Sequence, residues 1–560
     1  MVYKDQNPDD PTTHYKLRGL ESWTTDAFDH ACYEDKADII SCPFSTEATD
    51  NIRNKISEVC QNGRGGKGCV VVISSGNQKH TLPNPSNDLM EPFASQSCVI
   101  AVGGINECGE RMRYGHYCNI DSGYNSCYGD SLDVVAPGIH VPTTTINGEY
   151  FRGFGGTSAA APHVAGVAAL VLSVNPCLTR EEVKYVIEST CTKIRPDLYV
   201  YGNDPNHPNG TWNIEVGYGL VNAGAAVALA QQMGGYKYIR DSIVTGTVVW
   251  TGNKMIHDSL VIDSLATLTV TDTIYMSSSA RLIVRPGGKL VVDGGTLTSA
   301  CPGELWQGIE VVGDRTKRQL AQWQGTVELK NGTVIENAHC GIRTGIQGDA
   351  AYATSGGIIL ANSAFFKNNR RAVAFMSYTN HSLTGVITDN VSHFTNCEFS
   401  GFSTAIEANT TGDQHVVWVN RANFRDNETS IKINGNHFAT VIRNDFDLQA
   451  SSTNMYNAGL CLNNYGGYQV EGNRFHRASG HYNYSSMGIG VQNSGVTDNS
   501  IYRNVFDNLS YGIYVTGTNG NATGGLQMLC GDFSGNGTDI YLATSHTMVS
   551  SLQGSLQLSA

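Results

Sequence analysis

The string Gly155-Gly156-Thr157-Ser158-Ala159-Ala160-Ala161-Pro162-His163 is where this chain could do chemistry. A Gly-Gly-Thr turn delivers Ser158 to the first turn of an Ala/Val/Leu helix that runs to Val174. Its hydroxyl then sits at the positive end of the helix dipole, beside backbone N–H groups with no partner inside the helix. A nucleophile whose attack creates an oxyanion needs that environment. A serine that merely caps a core helix would also follow Gly-Thr, so the surroundings must decide. His163, five residues on, projects about 140° away from Ser158 around the helix and is expected to pack rather than act as a base.

The elements that must position Ser158 occupy the first 230 or so residues. Ile52, Ile56 and Val59 share one face of a helix that Gly63 and the glycines after it should stop. CVVVISS, SCVIAVGG and LDVVAPG are short, apolar and β-branched, the pattern of parallel strands covered on both faces. Thr179 and Glu182 spell a capping box that opens another helix. Helices alternating with such strands predict an α/β parallel-sheet sandwich.

From about residue 240 the helical period disappears. Phe399, Phe424, Phe446, Phe475, Phe506 and Phe533 recur in similar Asn/Gly-rich phrases, 22 to 31 residues apart. That period, made of short strands and turns, predicts an all-β solenoid, a right-handed parallel β-helix with inward Phe stacked rung on rung. The tighter alternation of SLVIDSLATLTVTDTIYM reads as its first coils, with the linker near Gly234-Gly235. The expected organisation is residues 1–234, 240–546 and a tail, 547–560, with the two halves folding separately.

Around Ser158 the sequence resembles the subtilisin-like serine proteases, whose nucleophile lies in a G-T-S-x-A-x-P-H-V-A-G string. ADIISCPFS resembles the family's substrate strand, VVVISSGN the strand that ends in the oxyanion asparagine, and GYGLVNAGAAV the closing helix. The resemblance covers about residues 30–230. It implies a secreted serine-type endopeptidase with Ser158 as nucleophile and the Asn77 amide as oxyanion donor. Ser74, Ser75, Gly76, Pro43 and Phe44 would line the peptide cleft. Pro43 and Ser45 stand where the family usually has Ser and Gly, and proline has no N–H to pair with an extended substrate.

The family's D-[ST]-G and H-G-T contexts are absent before Asn77. Asp121-Ser122-Gly123 comes after it and reads as a turn. His14 and His30 lack the glycine context. The expectation is a chain that starts inside its protease domain, without an identifiable triad Asp or His, and inactive as it stands. The rival is a non-catalytic extracellular adhesion or glycan-binding protein that keeps a protease remnant.

Composition narrows the partners. The 37 basic and 50 acidic residues give a net charge of −13, a poor match to nucleic acid. The longest apolar stretch is broken by Pro162 and His163, which argues against a membrane span. Fifteen cysteines and ten N-x-S/T sites point to an oxidising, extracellular setting, although the first residues have no apolar core for a secretory signal. Cys177 and Cys191 bracket a helix too long for a direct bridge; Cys118 and Cys127 are the better pair. No cofactor and no metal site are expected, with structural calcium left open. The pectin-lyase-like solenoid lacks a tight carboxylate cluster; Arg370-Arg371 and Asp389 read as solvated turns. It is taken as an accessory domain, possible partners being an extracellular glycan alongside the peptide substrate of the first half.

Overall fold

The computed structural model describes residues 2–4, 15–17, 21–78, 90, 92–113, 125–145, 148–239, 243–409, 417–437, 439–448, 457–477, 486–521 and 524–543. The chain divides into two compact units, Met1–Gly235 and Tyr236–Ala560.

In the first unit four parallel strands, Ile39–Cys42, Val70–Ser74, Ile100–Ile105 and Val134–Pro137, lie side by side in chain order. Every residue of the two central strands is buried, which is why they are apolar without alternation. The helices are α1 (Glu21–Asp29), α2 (Asp50–Gly66), α3 (Thr157–Val174), α4 (Arg180–Ser189) and α5 (Ala223–Gly234). The α2 helix leaves helical geometry at Gly63, with Arg64 and Gly65 at positive φ. A Cβ on Gly63 would lie 2.3 Å from Cys69 Sγ, so only glycine lets the helix end pass there. The Thr179–Glu182 capping box is formed at the start of α4.

The α3 helix begins one residue earlier than expected and continues through Pro162. Ala160, Ala161, Val164, Ala168 and Val171 are fully buried. Asn175, just past its end, donates Nδ2 to the Ala230 carbonyl of α5 at 3.1 Å. Among the described residues α3 is the one helix long and apolar enough to cross a membrane, and 56% of it is buried inside this unit.

His163 departs from expectation. It is exposed, and its Nδ1 is bonded to the Ala159 carbonyl at 2.8 Å, because its position falls on the outer face of α3. Cys177 is disulfide-bonded and Cys191 is a thiol, so the two do not pair. The expected Cys118–Cys127 bridge is not made either. Cys127 is a buried thiol and Cys118 lies outside the described residues, as does the 547–560 tail.

Among its described residues the second unit contains three parallel sheets of 12, 12 and 11 strands, each coil adding one strand to each sheet. The fold is a parallel β-helix. Phe399, Phe424, Phe446, Phe475, Phe506 and Phe533 form one stack with ring centroids 4.5–5.2 Å apart and planes within 11°. Phe366 extends it by another rung, 4.8 Å from Phe399. A second ladder runs through buried asparagines. Asn473 Oδ1 accepts from the backbone N–H of Asn444, and Asn504 Oδ1 from that of Asn473, both at 2.9 Å. Asparagine amides thus satisfy corner N–H groups that a coil bend takes out of the strand ladder.

The same geometry changes the meaning of three N-x-S/T sites. Asn380, Asn390 and Asn427 are buried, and Asn427 is spent accepting from Phe402 N–H and donating to the Phe399 carbonyl. Those sequence matches are structural corners rather than exposed glycan acceptors.

Candidate active site

Parallel strands point their C-terminal ends the same way, and ligands of open α/β sheets bind beyond those ends. The Ile39–Cys42 and Val70–Ser74 strands are paired with Cys42 beside Ile73, so Pro43-Phe44 and Ser74-Ser75-Gly76-Asn77 leave the sheet next to each other. Gly156 turns the chain into α3 at φ 94°, a conformation that favours glycine. A Cβ there would lie 3.3 Å from both Asn77 Oδ1 and Nδ2. Ser158 follows in the first turn, half-buried.

Asn77 Oδ1 accepts a hydrogen bond from the Thr157 N–H at 2.9 Å. The bond fixes the orientation of the amide and directs Oδ1 at the helix start. Among the described residues neither Asn77 Nδ2 nor the Ser158 N–H donates to another group. Two free donors beside one hydroxyl are what an oxyanion requires.

The remaining expected residues fall into two groups. Ser74 and Ser75 are buried and Ser75 N–H donates to the Val102 carbonyl, while among the described residues the Ser75 hydroxyl has no hydrogen-bond partner. The Gly76 carbonyl accepts from Cys127 N–H at 3.0 Å. Pro43 is partly exposed, and Phe44, 47% exposed, stacks on buried Phe93 at 5.8 Å.

No hydrogen bond joins a histidine among the described residues to Ser158. His30 is exposed and held by Glu34 and Asp35, each at 3.1 Å. His14 and the Asp121-Ser122-Gly123 turn lie outside the described residues. Among the described residues no three His, Cys, Asp or Glu side chains gather as metal ligands.

A parallel sheet whose strand ends meet a helix-borne serine, with an asparagine amide pinned beside it, is the arrangement of the subtilisin-like fold. Residues 15–219 match the Subtilase family, and this stretch is a subtilase domain. The "Calcium-dependent protease" of Trichormus variabilis is 34% identical over 196 residues, 32% of this chain and 28% of that protein. The "Subtilisin" of Bacillus pumilus is 36% identical over 135 residues, 24% of this chain and 43% of that protein. The chain therefore spans less than half the length of these curated relatives. Among solved structures, that of the prenylagaramide maturation protease PagA aligns at 22% identity with a TM-score of 0.29, covering 39% of this chain and 70% of that one.

Proposed function

We propose that the first unit is the nucleophile and oxyanion part of a secreted serine endopeptidase. The observation that carries this is the Asn77–Thr157 hydrogen bond, which sets an amide beside Ser158. Ser158 Oγ attacks the peptide carbonyl carbon, and the oxygen's developing charge is taken by Asn77 Nδ2 and the Ser158 N–H. The C–N bond then breaks, the amine leaves with the serine's proton, and water releases the acyl group. Moving that proton requires an imidazole base. No described neighbour of Ser158 supplies such a base, and on this reading little hydrolysis is expected of the chain by itself.

The lack of a base among the described neighbours of Ser158 favours a second reading, a non-catalytic extracellular protein with a protease remnant. In both readings the solenoid is an accessory domain for adhesion, glycan binding or spacing. The protein is treated with a fluorophosphonate and its peptides are mapped. Ser158 of the 560-residue chain is expected to remain unlabelled; efficient labelling, abolished by Ser158→Ala, would show a base within the chain. Upstream coding sequence separates the two readings. In-frame D-[ST]-G and H-G-T segments that restore hydrolysis support the protease, and stop codons support the remnant.

A further inference from the structure

Five thiols gather in one part of the first unit. Cys32, Cys42, Cys60 and Cys69 are buried in a shared core, and Cys98, partly exposed, packs against it. Cys98 sits in a turn just ahead of the Ile100–Ile105 strand, and Cys60 lies on the buried face of α2. The Cys60 thiol donates to the Cys98 carbonyl at 3.5 Å, across 38 residues of chain. It is also within hydrogen-bonding reach of the Cys98 sulfur.

Two cations of α4 hold this pair in place. Arg180 Nε donates to the Cys60 carbonyl at 3.2 Å and its Nη1 to the Cys98 carbonyl at 2.8 Å. Lys184 Nζ donates to the Val99 carbonyl at 2.7 Å and the Ser97 carbonyl at 3.4 Å. Three successive carbonyls of the turn are thereby fixed from one helix, and one guanidinium grips the backbones of both cysteines. Backbone contacts therefore hold the two sulfurs near each other without a bond between them. Arg180 is buried, so little water screens its charge from the Cys98 sulfur.

The surroundings favour a thiolate at Cys98 and a thiol at Cys60. The Cys60 hydrogen bond first, then the Arg180 charge and the Ser57 hydroxyl, hold the Cys98 pKa below the usual thiol range, with burial opposing. Cys60 is pushed up by the same hydrogen bond and by burial. A thiolate beside a cation is the nucleophile of disulfide exchange, whereas a buried thiol is slow to attack a molecule in solution. Of the five, Cys98 is the one with exposed surface.

We propose that Cys98 and Cys60 are a thiol–disulfide exchange site for a low-molecular-weight disulfide, with Cys98 as the attacking sulfur and Cys60 as the resolving one. Cys98 Sγ attacks one sulfur of the disulfide, whose S–S bond breaks, and one small thiolate leaves and takes up a proton. Cys60 then gives up its proton, its sulfur attacks Cys98 Sγ, and the second small thiol leaves. Two protein thiols lose two protons and two electrons, and the small disulfide becomes two thiols. The bridge ties α2 to the start of the Ile100–Ile105 strand, which pairs with the strand Val70–Ser74 that leads to Asn77. The site does not rest on the protease reading of Ser158.

The full chain, reduced under native conditions, is mixed with glutathione disulfide, quenched with acid at intervals and peptide-mapped. Cys530, exposed on the solenoid, is the internal comparison. A glutathione adduct is expected on Cys98 roughly tenfold sooner than on Cys530, since the rate follows the thiolate fraction. It should then give way to a Cys60–Cys98 bridge. Cys60→Ala should arrest the chain at the Cys98 adduct, and Cys98→Ser should leave Cys60 unmodified. Circular dichroism melts show whether both variants fold; if either does not, the time course of the natural chain decides. Cys98 reacting no faster than Cys530 overturns the site. So does an adduct on Cys98 that persists in the natural chain, or modification of Cys60 in folded Cys98→Ser.

Discussion

Asn77 Oδ1 and the Thr157 backbone N–H are hydrogen-bonded at 2.9 Å across 80 residues of chain. The bond ties the end of a central strand to the first turn of α3. It satisfies a helix N–H that has no intrahelical partner. Asn77→Ala is expected to cost about 1–2 kcal/mol by losing that bond. Asn77→Asp keeps an acceptor, places an anion at a helix N-terminus, and should stay within about 0.5 kcal/mol of the natural chain. Urea unfolding of both variants checks this. Equal destabilisation by the two would show that the bond is not what holds the amide.

Glu188 gives the first unit a pH dependence of definite sign. It is 2% exposed, and its pKa is raised to about 8, by burial first and then by Asp133, with Lys184 and Asn209 opposing. Between pH 4.5 and 8 the folded state holds a proton that the unfolded chain has released. The contribution is present below pH 4.5 and is lost as pH rises to 8. Urea midpoints should therefore fall over that range more steeply for the natural chain than for Glu188→Gln. Parallel profiles for the two would assign the titration elsewhere.

Cys69 Sγ lies 3.3 Å from Cys32 Sγ in a core that also contains Cys42 and Cys60. Oxidised glutathione should close Cys32–Cys69: the two thiols give up two protons and two electrons, and two glutathione thiols form. Closing a loop of this length stabilises a fold by about 2–4 kcal/mol. Non-reducing peptide mapping and a thermal melt read the result. A Cys32–Cys42 or Cys32–Cys60 bridge instead would contradict the observed packing.

In the solenoid, Phe446 is fully buried between Phe424 and Phe475, at 4.7 and 4.5 Å. Phe446→Ala should cost about 3–5 kcal/mol. Asn473→Ala removes the acceptor of Asn444 N–H and the donor to the Val441 carbonyl, at about 1–3 kcal/mol for each buried group left unpaired. Residues 236–543 expressed alone should fold and show both losses, since each coil is supported by its neighbours. A fragment that remains unfolded would show that the solenoid needs the first unit.

Sequence alone determined the apolar strands, the Gly63 stop, the Thr179–Glu182 cap and the Phe ladder, and it singled out Ser158 and Asn77 as candidates. Each is a local pattern: a periodicity marks the face an element buries, and a turn residue marks where it ends. What only tertiary structure decided are contacts made across elements. The strand end and α3 meet so that Asn77 spends Oδ1 on Thr157, a pairing that neither segment shows by itself. Arg343 and Arg370 lie 27 residues apart in sequence, and coil register brings them to one cavity. Asn427 reads as a glycan acceptor and is a buried corner, while His163 reads as packing and is exposed. Local propensity sets which way a side chain leans from its own backbone. Which neighbour it meets depends on strand register and loop length, and those are fixed only when the whole core closes.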